Sequence, residues 1–285
     1  MTRTSVAVGF FDGLHIGHRA VIDAAVSGGA SAAVCTFPLT DPPAGHDAPW
    51  LLLPEERRAL LHDWGVSGTA EWGYSEIGQL SPEEFFDRLC AAFDPCAVCC
   101  GYNYRFGRRA AGDVDVLRGL CAARGIELRV VEPVSLGGAP VSSTRIRALL
   151  TDGKPEEAAR CLGRPFSFTL PVVEGRRLGR TLDFPTINQP FPERLIRPRF
   201  GVYVSAVRLN GRLLRGVTDI GVKPTVGSDC VLAETHIFGC GEDLYGETLE
   251  VELLGFLRPE RRFGSLEELR AAIAHDADCA RRYPG

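Results

Sequence analysis

The chain has 285 residues, a net charge of −4, and a globular composition with 45% hydrophobic and 24% charged residues. That length suggests two cores rather than one, and no apolar run approaches the ~20 residues that span a bilayer. The first residues lack a secretory signal's apolar core, and a net negative chain disfavours extended nucleic-acid binding, so the expectation is a cytoplasmic protein with neither nucleic acid nor membrane as partner.

A β-branched-rich strand is expected over residues 5–10, followed by the turn GFFDGLHIGH. Asp12-Gly13 turns the chain, and Gly17 lets the backbone pass close to a ligand. His15 and His18 are three apart and share one face of a nascent helix, whose free N–H groups favour anions. Two imidazoles there can donate to phosphate oxygens as charge builds during phosphoryl transfer.

The first half then alternates helix and strand. Helices are expected over 19–26, 55–63, 82–93 (capped by Ser81) and 114–123, with strands over 32–37, 97–100 and 127–131. That order implies a mostly parallel, Rossmann-like sheet with helices on both faces and its ligand crevice at the carboxyl ends of the strands. Three loops meet there: GFFDGLHIGH, GYNYRFG at 101–107, and SSTRIR at 142–147, whose hydroxyls and arginines suit a phosphate. Ten cysteines include Cys96, Cys99 and Cys100 in PCAVCCG, but no second pair completes a zinc site. They are expected to be reduced core thiols.

The second half changes texture. Apolar runs over 201–209, 213–220, 231–238 and 249–254 predict antiparallel strands in a small barrel, with Asn210-Gly211 as a hairpin turn. A terminal helix follows, with Ser265 and Glu268 as a capping box and Leu266, Leu269, Ile273, Ala277 and Ala280 as its apolar face. The polar stretch TDGKPEE sets a domain boundary, with domains over 1–153 and 160–285.

In GRRLGRTLDFPTIN, Thr186 and Asn188 offer neutral oxygens that suit Mg²⁺ when phosphates complete its shell. A barrel turn whose Thr and Asn cap their own backbone fits that stretch equally. Glu234 lies in VLAETHIF on one face with Leu232, His236 and Phe238. A carboxylate beside a metal–phosphate site can orient an alcohol and accept its proton, and a barrel-mouth Glu paired with an arginine is the alternative.

Taken together, GFFDGLHIGH, LSPEEF, GYNYRFG, AGD, SSTRIR, LGRPF, LGRTLDFPTIN, FGVY, IGVKPTVG, ETHI, DLYG and LRPERRFGSLEEL resemble the bacterial family that joins riboflavin kinase to FMN adenylyltransferase, or FAD synthetase. The resemblance covers almost the whole chain. It implies an α/β nucleotidyltransferase domain followed by a riboflavin kinase-like barrel with a terminal helix. It also implies two ATP-dependent steps with Mg²⁺: riboflavin to FMN, then FMN to FAD with release of pyrophosphate. Under it, Gly9, Phe10, Asp12, His15, Gly17, His18, Ser143, Thr144 and Arg147 bind ATP in the first domain, where His15 and His18 are catalytic. Gly179, Thr186 and Asn188 bind ATP in the second, Thr186 and Asn188 hold the metal, and Glu234 is the base. Asn103 and Phe106, and Glu234 in the barrel, contact flavin.

The chain departs from the family pattern at Phe37-Pro38-Leu39-Thr40-Asp41-Pro42, where a histidine usually stands. Asp183 and Ile187 replace the usual Gly and Ala.

Overall fold

The computed structural model describes residues 4–175, 184–225 and 228–284, and all structural statements concern these. By contact density the chain divides into two units, Met1–Ser143 and Thr144–Gly285.

In the first unit, β1 (Thr4–Val8), β2 (Ser31–Thr36), β3 (Gly68–Glu71), β4 (Pro95–Gly101) and β5 (Glu127–Val131) form a parallel sheet of order β3-β2-β1-β4-β5. Strand alternation divides its core into two. Val6 and Val8 of β1 pack with Phe86 and Leu89 of α4 (Pro82–Phe93) and Leu117 and Cys121 of α5 (Val114–Ala123). Ala7 faces the other way, toward Ile22 and Ala25 of α1 (Ile16–Val26) and Leu61 of α2 (Pro54–Asp63). Chain order reverses at β1, between β2 and β4, so the loops after β1 and β4 flank the switch point where doubly wound sheets bind ligands.

The expected helices and strands of this unit are present, with small shifts at their ends. The helix expected from 19 begins at Ile16, because His15 itself caps it. Strand β3 was not expected: GTAE is short and polar, and it sits half-exposed at the sheet edge. A short helix, α3 (Tyr74–Ile77), follows it, and after β5 come two short paired strands, β6 (Ser135–Leu136) and β7 (Ala139–Pro140).

The second unit begins with most of α6 (Ser143–Thr151) and with α7 (Pro155–Leu162). The Pro-Glu-Glu read as part of a polar linker is the first turn of α7, with proline at its start and Glu156 and Glu157 at its positive end. A six-stranded antiparallel sheet follows, in order β8-β13-β10-β11-β12-β9. Its strands are β8 (Phe166–Pro171), β9 (Ile187–Pro190), β10 (Gly201–Leu209), β11 (Arg212–Thr225), β12 (Ser228–Ile237) and β13 (Thr248–Pro259).

The sheet curls until its two edges meet. Val173, just beyond β8, donates its N–H to the Asn188 carbonyl of β9 at 2.8 Å. The buried Gln189 amide reaches from β9 to the carbonyls of Leu170 and Leu249 at 2.7 and 2.9 Å. The hairpin at Asn210-Gly211 has φ of 49° and 75°, the doubly left-handed turn that matches strand twist.

The last helix, α8 (Leu266–Arg282), is capped by Ser265 as expected, and the side it turns inward is the predicted one except at its first residue: Leu269 and Ile273 are half-buried, and Ala277 and Ala280 are buried. Leu266 is 65% exposed, and Ala272, Asp276, Ala277 and Ala280 face inward. Arg258 of β13 holds the buried Asp276 on that side through two nitrogens, at 2.7 to 3.1 Å.

No described cysteine forms a disulfide, and Cys35, Cys99, Cys100, Cys121 and Cys161 are buried. Among the described residues no group of His, Cys, Asp and Glu could hold a metal alone, and no helix is long and apolar enough to cross a membrane.

Candidate functional sites in the two units

The loop from β1 to α1 is held in an uncommon backbone. Phe11 and Leu14 adopt φ of 50° and 43°, conformations that cost an ordinary L-residue of order 1 kcal/mol or more. Gly9 and Gly13 permit this path. A Cβ on Gly9 would lie 2.9 Å from the Phe11 ring, and one on Gly13 would lie 2.6 Å from Leu51.

His15 is the N-cap of α1, only 5% exposed, and its Nδ1 accepts the His18 backbone N–H at 3.2 Å. An accepting Nδ1 places the proton of the neutral ring on Nε2, which is thereby a donor. The His15 and His18 rings stack with centroids 3.6 Å apart, and Phe11 meets His18 edge-on at 5.4 Å. Gly17 makes room for this stack, since a Cβ there would lie 3.1 Å from the His15 ring. The unit therefore presents two parallel imidazoles at a helix N-terminus, a donor arrangement suited to phosphate.

Asp12 is buried below the loop and accepts the Ser143 hydroxyl at 2.5 Å, tying this turn to the first residue of α6. Thr144 and Arg147 follow on α6 in the second unit, where the Arg147 carbonyl accepts the Thr151 hydroxyl at 3.1 Å. Phe10 stands between the edges of Phe37 and His46, at 6.3 and 5.7 Å. After β4, Asn103 is exposed, whereas Phe106 is buried in the core beside Phe85 and stacked on Tyr104 at 5.6 Å.

In the second unit, Asn188, Glu234 and Asp219 lie in register across β9, β12 and β11. Directly opposed residues share one face of a sheet, so an amide and two carboxylates stand side by side. Thr186 immediately precedes β9. Asn188 is 5% exposed, and Gly175 packs so closely that a Cβ there would come within 2.4 Å of its side-chain nitrogen.

Glu234, His236 and Phe238 are half-buried, while Val231, Ala233, Thr235 and Ile237 on the opposite face form the barrel core. The carboxylate is thus on the outer, partly wet side. His236 donates through Nδ1 to the Pro185 carbonyl at 2.8 Å and meets Phe184 edge-on at 5.3 Å, linking the F-P-T segment to the Glu234 strand. Gly179 and Asp183 lie outside the described residues.

The structure adds groups that spacing alone did not single out. Asp219 was hidden in the apolar run GVTDIGV, although an acid in such a strand is itself a signal. A cavity of about 680 Å³ lies between the end of β13 and α8, lined by Arg258, Phe263, Ala272, His275, Asp276 and Cys279 among others. In the first unit, Arg57 is fully buried beneath the histidine loop.

The chain matches the family model for FAD synthetase over residues 1–145 and that for riboflavin kinase over residues 162–284. It is 32% identical to the bifunctional riboflavin kinase/FMN adenylyltransferase of Listeria monocytogenes, over 98% of this chain and 91% of that one. Identity to the Escherichia coli K12 protein of the same name is 32%, over 98% and 92% of the two chains. For Pseudomonas fluorescens it is 34%, over 96% and 91%. A solved structure from Streptococcus pneumoniae, described as a macrolide-efflux protein, superposes with a TM-score of 0.88 at 28% identity, covering 99% of this chain and 95% of the other. With both halves matched and near-complete relatives above 30% identity, the chain belongs to the family of bifunctional riboflavin kinase/FMN adenylyltransferases.

Proposed function

We propose that this chain phosphorylates riboflavin to FMN in its barrel domain (residues 160–285) and adenylylates FMN to FAD in its N-terminal domain (residues 1–153), with ATP as donor in both steps. In the first step Glu234 orients the terminal ribityl hydroxyl and accepts its proton as the oxygen attacks the γ-phosphorus, whose bond to the β,γ-bridging oxygen breaks to release ADP. The neutral oxygens of Thr186 and Asn188 fit a hard cation completed by phosphates, so these two would hold Mg²⁺–ATP, with Gly179 in the same nucleotide set. Magnesium when bound offsets charge on the transferring phosphoryl group.

In the second step the FMN phosphate attacks the α-phosphorus of ATP, and pyrophosphate leaves. His15 and His18 donate to phosphate oxygens as charge grows there. Gly9, Phe10, Asp12 and Gly17 shape that loop, while Ser143, Thr144 and Arg147 assist at the phosphates. Asn103 and Phe106 set the flavin-side loop. Riboflavin, FMN, FAD and ATP are the small-molecule partners, and the setting is the cytoplasm.

The observation that supports this reading is that each unit has a polar constellation of its own. One has a stacked imidazole pair at a helix start, and the other has an amide–carboxylate row in register. Incubating purified protein with riboflavin and Mg²⁺–ATP and separating the flavins tests it: FMN should form first and FAD after it. FMN without FAD, even when FMN is supplied directly, would eliminate the second activity. That outcome bears on the departure at residues 37–42, where the family's histidine is missing.

A further inference from the structure

Arg57 is 0% exposed, an uncommon state for an arginine, and its environment explains the burial. From α2 its Nη1 donates to the Phe10 carbonyl at 3.3 Å. Nη2 donates to the Phe37 carbonyl at 2.9 Å and to Glu71 Oε1 at 2.5 Å. These acceptors sit just beyond β1, just beyond β2 and at the end of β3, three neighbours in the sheet. One planar guanidinium therefore ties together the carboxyl ends of three adjacent strands.

The Phe10 carbonyl also accepts the buried Thr36 hydroxyl at 2.7 Å, so it is fixed from two sides. It immediately precedes Phe11, the first left-handed residue of the histidine loop. Backbone of that kind persists where the surroundings over-determine it. Burial lowers the pKa of Arg57, while Glu71 and Asp12 raise it again. Asp12, two residues beyond Phe10, holds Ser143.

A buried ion pair is weak evidence for stability, since apolar side chains of similar volume often replace one without loss. The fork geometry is what an apolar replacement cannot reproduce. We propose that Arg57 is a positioning residue of the adenylyl-transfer site, clamping Phe10, and through it the loop that carries His15 and His18, into phosphate-binding shape. The proposal rests on reading that loop as the site of FMN adenylylation.

The test compares wild type with R57K and R57M in the full chain, measuring kcat and KM for ATP in FAD formation from FMN. Riboflavin phosphorylation in the same samples serves as internal reference. Thermal melting fixes an assay temperature at which every variant is folded. A misplacement of about 1 Å in a reacting site costs on the order of 100-fold. R57M should therefore lose about that factor in kcat/KM for FAD formation, with a raised KM for ATP. R57K, which keeps the charge but not the fork, should recover part of it. Riboflavin phosphorylation should stay within about twofold of wild type.

A purely structural role predicts a lower melting temperature with KM unmoved, and that result overturns the proposal, as does a folded R57M with wild-type kcat and KM. A wild-type chain that makes no FAD from FMN would instead overturn the reading of the loop on which the proposal rests.

Discussion

Replacing Asp276 by Ala should detach the terminal helix from the barrel. The carboxylate is 4% exposed and receives three N–H···O contacts from Arg258, at 3.1, 3.0 and 2.7 Å. On the same side Leu269 and Ile273 are only half-buried. The other residues of the helix's buried stripe are alanines, each contributing about 0.8 kcal/mol through one methyl group. Beyond the helix end, the Tyr283 hydroxyl bonds Glu156 and the Leu254 carbonyl.

Breaking a buried pair by deleting one partner costs about 3–5 kcal/mol. Arg258 would keep its bond to the Pro259 carbonyl and its place over the Phe263 ring, and it is partly solvated. A loss of about 2–3 kcal/mol is therefore expected, roughly 6–12 °C in melting temperature for a unit of this size. The assay is residual riboflavin phosphorylation after heating, with FMN adenylylation followed in parallel. Kinase activity should disappear at the lower temperature while adenylylation keeps its wild-type profile, and D276N should fall between. A shift below about 3 °C, or equal shifts for both activities, would refute the argument that this pair holds the helix.

The remaining expectations concern the two reactions and pH. Glu234→Gln should remove the proton acceptor and lower riboflavin phosphorylation by about 100-fold or more, a general-base-sized effect, with FMN adenylylation unchanged in the same sample. His15→Ala combined with His18→Ala should do the reverse; either variant losing both activities while still folded would contradict the division of labour. Burial pushes the Cys35 and Cys100 thiols up to about 12 and those of Cys99 and Cys121 up to about 11, from an ordinary 9.0. Their protonated form is favoured in the fold, so this contribution to stability is complete below pH 9.0 and lost as pH rises through 11 and 12. Urea midpoints measured upward from pH 8 should fall above about pH 9, and an unchanged midpoint at pH 11 would argue against buried thiols.

Much of this molecule is written locally. The box of Ser81 and Glu84, the Ser265 cap and the Asn210-Gly211 turn each depend on a few neighbouring residues. They are legible because turn and cap chemistry acts over one to four positions. The His15–His18 loop was legible for the same reason, as was the alternation of strand and helix that gives the parallel sheet.

What spacing could not supply was non-local. Strands β3, β8 and β9 are short or carry polar residues, and pairing with distant partners is what makes them strands. The burial of Asp276 in α8 is matched by Arg258, a side chain in another element. Arg57 looks like one of two ordinary arginines on a polar helix until the ends of three strands close around it. Asp219 comes beside Glu234 only through strand register, which a single residue of slip would undo. The sequence by itself determined the family, the His15–His18 and Phe184-Pro185-Thr186 motifs and most helices. Only the tertiary structure decided which charged groups are buried, because burial depends on what the rest of the chain places around them.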